Sequence, residues 1–358
     1  MKNDKLASIQ VLRGLAALAV MLFHFRWNIN LSYPKLGDQL FGWGAIGVDM
    51  FFIISGFVIT LSAKKLTPGL SAVGMFLKHR ARRILPTYFI ILLITFLLSG
   101  AMSTFHYPEK VSNFASALTF SPIDANNAPF YVDDGGVYGI RWTLNYEVFF
   151  YLAMAICLIS KYRWPLLLGV FSLSLVVLPM LAGQSPTLAV SGYQFHSAYL
   201  NLMTNPIIWQ FLVGVGFGLI YPYAKKLNSQ LCLAMLAVAI VVTGYCILFT
   251  SSLGHGLMMS GWYLSILFIA VILNDELIAK YTPRFLVTFG EISFSLYLIH
   301  TLMNGGIGNR LENLGVPDGT PRFIWSCVIS IGLAYLSHRF IEKPMRWGKI
   351  KAVKIQEA

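Results

Sequence analysis

The sequence predicts an all-α integral membrane protein of about ten transmembrane helices with both termini cytoplasmic. Three observations carry that expectation. Only 12% of the 358 residues are charged and 56% are hydrophobic, whereas soluble chains carry about 25% charged residues. Apolar runs recur along the whole chain at the roughly 20-residue length that crosses a bilayer core as a helix. Lys and Arg gather in alternate connecting segments, as a fixed orientation in a membrane requires.

The runs fall at 8–25, 43–63, 84–104, 142–160, 164–183, 202–223, 230–251, 257–274, 285–303 and 322–342. With the N-terminus inside, the inner segments hold 20 of the 27 Lys and Arg residues. The outer segments hold Arg26, Lys35, Lys110, Arg141, Arg310 and Arg322, and Arg13 lies within a span. Topology therefore accounts for the net charge of +12 without nucleic acid. The opening MKNDKLASIQ has no small-residue cleavage site before the first run, so a retained span is expected there. The four cysteines all lie in apolar runs with no CxxC pair, the pattern of packing residues. The chain reads as one transmembrane unit, 1–358, with no appended soluble domain. The long outer segment 105–141 holds Asp124, Asp133, Asp134 and the turn-forming Gly135-Gly136, and is the candidate lid or substrate platform. GVGFG at 214–218 sits inside an apolar run, where close helix packing is expected rather than a nucleotide loop.

Orientation gives each buried polar residue a depth. Arg13 lies about one turn inside the first span, and His24 is eleven residues further on, roughly 16 Å closer to the outside. Eleven steps of about 100° return nearly to the starting azimuth, so the two share a face. Asp49 opens the second span, Glu147 follows the start of the fourth, and His300 ends the ninth, all near the outer level of His24. A single such residue can snorkel to the interface. Charges inside spans are costly, and four at one depth point to a functional centre. A histidine beside carboxylates suits general-base chemistry, because the anion stabilises the imidazolium. On the cytoplasmic side FLKHRARRILP, 76–86, precedes the third span. Its Arg residues suit anchoring to anionic lipid and also bidentate phosphate recognition.

These stretches, in this order, resemble the acyltransferase 3 family of multi-pass membrane acyltransferases. The Arg-x10-His pattern matches Arg13 and His24; FFxxSGF matches Phe51 to Phe57; R-x-x-R matches Arg80 and Arg83. W-[ST]-L-x-x-E matches Trp142 to Glu147, S-x-S-L-Y-L-I-H matches Ser293 to His300, and I-E-K-P matches Ile341 to Pro344. The wording WTLNYEVFFYL resembles members that acetylate exopolysaccharide or its lipid-linked precursor.

The resemblance implies a stand-alone O-acyltransferase of the bacterial inner membrane. It would move an acyl group, most often acetyl, from cytoplasmic acetyl-CoA to a carbohydrate hydroxyl. Arg13, Arg80 and Arg83 would hold the CoA phosphates, and the pantetheine arm would pass Ser55. His24 would act as base, with Asp49 or Glu147 orienting it; Trp142, Asn145, Tyr146 and His300 would contact the acceptor. Direct transfer and an acyl-enzyme remain equally open. No metal is expected, since no HxxxH or HExxH spacing occurs on a span. The competing reading of the same polar stripe is a transporter or flippase of an anionic or lipid-linked glycan.

Overall fold

The computed structural model describes residues 6–98, 101–133, 138–304 and 307–346, and among these the regular structure is entirely helical. Ten helices follow the predicted order. They are α1 (Ala7–Ser32), α2 (Gly47–Lys64), α3 (Leu70–Leu98), α4 (Arg141–Cys157) and α5 (Arg163–Leu181). Then come α6 (Ala198–Ala224), α7 (Ser229–Phe249), α8 (Leu257–Leu273), α9 (Arg284–Met303) and α10 (Thr320–Met345). Eight of these stretches are long and apolar enough to cross a membrane, α2 being counted with the short helix before it. A ninth is α8 with its continuation Asp275–Tyr281, bent by 75°. The exception is α4, which at 17 residues spans only about 26 Å. The chain is thus a multi-pass helical membrane protein.

The centre of the bundle is α1 and α2, whose most apolar windows are 67% and 72% buried inside the protein, against 22% for α7 and α10. Glycines let these central helices approach their neighbours. A Cβ on Gly56 of α2 would stand 2.1 Å from the Phe211 carbonyl oxygen of α6, and one on Gly214 would stand 2.1 Å from that of Ile53. The GVGFG stretch therefore packs α6 onto α2, with Gly218 against Thr60 and Gly216 facing open space. On the other side α1 packs along α9 through Gly14 and Gly290. Such small-residue contacts replace the hydrophobic driving force that helices lack within lipid.

Two boundaries depart from the expectation in ways that matter for the site. Helix α1 continues seven residues past the predicted end at 25, so His24 lies two turns inside it. The extension is held by Asp38, which accepts from Arg26 Nε at 2.8 Å and from Asn30 Nδ2 at 2.8 Å. Helix α3 starts well before the predicted 84, so the basic cluster 78–83 is helical and continuous with the span. The opposite end of α1 is capped by Asp275, which accepts from the backbone N and Oγ of Ser8 at 2.9 and 2.6 Å.

The segment before α4 is built on the helix Pro108–Thr119. Arg141, fully buried, ties it down by donating to Asn113 Oδ1 at 2.9 Å and Ser116 Oγ at 3.2 Å. Of the acidic and glycine residues expected there, Asp134, Gly135 and Gly136 lie outside the described residues. The four cysteines are free thiols.

Candidate active site

One end of the bundle is basic. Lys64 and Lys65 follow from α2, Arg80 and Arg83 from α3, and Lys343 from α10, all on the wall of one cavity of about 950 Å3. Arg13, itself buried, lines the same cavity from α1. The cavity then runs between the helices past Ser55 to Glu147, Thr143 and Tyr297. Of the residues expected to hold the donor, Arg13, Ser55, Arg80 and Arg83 all meet on this one surface. Its volume is at the upper end of the roughly 300–1,000 Å3 usual for ligand pockets.

Local contacts hold the arginines in place. Arg80 donates to Ser62 Oγ at 3.3 Å, and its guanidinium carbon lies 5.6 Å from the Phe76 ring centre and 5.7 Å from that of Tyr151. The Tyr151 hydroxyl donates to the Glu147 carboxylate one turn earlier on α4. Glu147 is therefore a cavity wall residue that positions Tyr151 beside Arg80, and its hydrogen-bond partner is not His24. Among the described residues the Arg80 Nε is buried with no hydrogen-bond partner.

His24 and His300 form a pair beyond the cavity's far end. Their rings lie 4.8 Å apart between centres, with His300 Nε2 3.3 Å from His24 Nδ1. The backbone fixes their tautomers. His24 Nδ1 faces the Val20 carbonyl at 2.9 Å and His300 Nδ1 faces the Leu296 carbonyl at 3.2 Å. Carbonyl oxygens only accept, so both Nδ1 atoms carry hydrogen and His300 Nε2 presents a lone pair to His24. His24 Nε2 is thereby left with its own lone pair and, among the described residues, no hydrogen-bond partner. That is the form a general base needs. Tyr297 separates this pair from the cavity: it lines the cavity, its ring centre is 5.8 Å from that of His300, and its hydroxyl meets Thr143 Oγ1 at 2.8 Å.

Asp49 is not in this group. It is fully buried at the end of α2 away from the basic cluster, where it accepts from His255 Nδ1 at 2.6 Å, the Gly256 amide at 2.8 Å and Gln210 Nε2. Azimuth explains the difference. Ser55 faces the cavity, and six residues of helix turn Asp49 about 240° away from it. Burial alone would hold His255 neutral, but the Asp49 carboxylate beside it prevails and raises its pKa above the ordinary imidazole value.

The remaining expected acceptor residues are divided in the same way. Trp142 is buried between Phe52, Phe130 and Tyr146, and its ring centre is 5.6 Å from that of His255. Asn145 and Tyr146 turn to the segment before α4. The Asn145 amide nitrogen donates to the carbonyls of Phe120 at 3.2 Å and Arg141 at 3.3 Å, and the Tyr146 hydroxyl donates to that of Pro129 at 2.7 Å. Both residues anchor that segment; neither is on the cavity wall. Sequence reasoning missed Tyr297, His255 and Lys343. Tyr297 stands inside the SLYLIH stretch, three residues before His300, so its proximity was readable from helical spacing. His255 lies in a connecting segment with no local signal.

The family's acyltransferase domain matches residues 6–339, nearly the whole described chain. The chain belongs to the acyltransferase 3 family. Among its relatives, the exopolysaccharide production protein ExoZ of Rhizobium meliloti (strain 1021) is 26% identical, the match covering 93% of this chain and 97% of that one. Nodulation protein 10 of Rhizobium leguminosarum bv. viciae is also 26% identical, over 94% of this chain and 92% of that one. The peptidoglycan O-acetyltransferase OatA of Listeria monocytogenes serovar 1/2a is 26% identical over 95% of this chain, which spans 55% of OatA. No solved structure matches. This acyltransferase 3 chain thus shares its length with the two rhizobial relatives and one part of OatA.

Proposed function

We propose that the chain is an O-acyltransferase of the bacterial inner membrane that moves an acetyl group from cytoplasmic acetyl-CoA to a hydroxyl of an envelope or exopolysaccharide glycan, free or lipid-linked. The observation that carries this reading is the cavity: cations crowd its basic end, and its far end stops one tyrosine short of a histidine with a free lone pair. Arg13, Arg80 and Arg83 bind the CoA phosphates, where bidentate charged hydrogen bonds are strongest. The thioester arm extends past Ser55 toward Tyr297. Displacement of that ring joins the donor to His24. His24 Nε2 takes the proton as the acceptor oxygen bonds to the thioester carbon. The C–S bond breaks, and the imidazolium returns the proton to the CoA thiolate. His300 and the Val20 carbonyl hold the base in its tautomer, a task given to a carboxylate in other hydrolases and transferases.

The test is acetyl transfer from radiolabelled acetyl-CoA to envelope polysaccharide by the purified protein in lipid nanodiscs. Label on the glycan, dependent on protein, supports the reading. Movement of unmodified glycan across the bilayer without acetyl-CoA would replace it with transport.

A further inference from the structure

At the end of α2 opposite the basic cluster, about 22 Å from Lys64 along the helix, lies a second built site. Asp49 there is fully buried. A carboxylate taken from water costs several kcal/mol unless it is paired and hydrogen-bonded. The chain answers with three donors: Gln210 from α6, and His255 and the Gly256 amide from the segment between α7 and α8. Of the three, only His255 can also pair the carboxylate's charge. His255 adds something else. Its Nδ1 is committed to Asp49, so its Nε2 is the free edge, and among the described residues it has no hydrogen-bond partner. The side chain is 16% exposed. Two aromatic rings stand against it, Trp142 at 5.6 Å and Phe130 at 6.3 Å between centres, themselves 4.9 Å apart.

A part-exposed imidazole edge with one free polar nitrogen beside the part-exposed Phe130 ring, with the buried Trp142 ring behind, is the mixed apolar and polar lining that orients small ligands. A pyranose ring offers the match: apolar C–H faces for the rings and hydroxyls for the nitrogen. We propose that His255 and Phe130, backed by the buried Trp142, form the subsite that holds a sugar ring of the glycan acceptor. His255 Nε2 hydrogen-bonds a ring hydroxyl, and Asp49 acts as the positioning residue that fixes the imidazole. The subsite rests on the acyl-transfer reading, because it names where that reaction's acceptor is held. It also lies on the same α4 terminus as Thr143, whose hydroxyl meets Tyr297 at the cavity's end.

Calorimetric binding of β-linked glucose, galactose and N-acetylglucosamine tetrasaccharides to the full chain in nanodiscs tests this. Acetyl-CoA binding is measured in parallel. Wild type is expected to bind at least one tetrasaccharide. H255Q keeps a side chain that still reaches Asp49, and is expected to weaken sugar binding at least tenfold with the acetyl-CoA Kd unchanged. Asp49→Asn should weaken it less and give a different pH profile for sugar binding. If H255Q fails to fold, Phe130→Ala carries the same expectation for the sugar. Equal affinity in wild type and variant, or no binding of any of the three sugars, overturns the subsite. Sugar binding without acetyl transfer would instead sink the transfer reading and leave the subsite standing.

Discussion

Two histidines of this chain are held in opposite ways. His24 leans on a backbone carbonyl and a neutral imidazole, 2.9 and 3.3 Å away. His255 leans on a buried carboxylate at 2.6 Å. The first arrangement fixes a tautomer without supplying charge, so the ring keeps a basic lone pair. The second sets an anion against the ring and raises its pKa above the ordinary imidazole value. On our proposal the first pair takes a proton and the second holds a ligand by a hydrogen bond. The lesson is that proximity of a carboxylate does not by itself mark the base.

Three perturbations break or sharpen that contrast. Asp49→Ala should have the largest effect on stability, because it leaves three buried donors, from His255, Gln210 and the Gly256 amide, without their shared acceptor; losing one partner of a buried pair costs about 3–5 kcal/mol. His300→Phe, the matching change at the other pair, should cost only about 1 kcal/mol, the scale of a neutral hydrogen bond. Denaturation midpoints in one detergent compare them, and equal losses would erase the distinction. Next in size, Arg80→Gln with Arg83→Gln should raise the KM for acetyl-CoA by roughly 10²–10⁴-fold, given about 1.5–3 kcal/mol for each of two charged hydrogen bonds. The kcat should move far less; a fall in kcat alone would put the arginines elsewhere in the cycle.

The smallest effect concerns pH. The raised pKa of His255 means that its pairing with Asp49 stabilises fully below the ordinary imidazole value of about 6.5. That contribution is lost as pH rises through the folded value. Asp49 is the charged group that faces it; the other neighbours, Gln210, Trp142 and Phe130, do not titrate. Exchange of the Gly256 amide, corrected for intrinsic rate, should therefore quicken at alkaline pH in wild type. D49N should flatten that rise, and an unchanged slope would contradict it.

Much of this was legible in the sequence. Apolar runs and alternating basic segments predict helices in the observed order, and helical spacing predicts that Arg13 and His24 share a face. Arg13, Arg80 and Arg83 stand on one cavity because they cluster at the same end of α1 and α3. Depth alone misled for Asp49, since the same level of a bundle contains several faces, and its azimuth already separated it from Ser55. Asn145 and Tyr146 belong to a conspicuous motif, yet their partners are carbonyls of an irregular segment whose path no periodicity reveals. The partner of Asp49 lies 206 residues away, in a connection without a pattern of its own.

We propose His24 as the base at the end of the cavity that takes the donor. The measurement that tests it most directly is acetyl transfer by His24→Ala, with acetyl-CoA binding recorded on the same preparation. General-base catalysis contributes about 10²–10⁴-fold, so kcat should fall by that factor while the donor Kd stays within twofold of wild type. Full transfer activity in His24→Ala, with donor binding intact, would contradict the assignment.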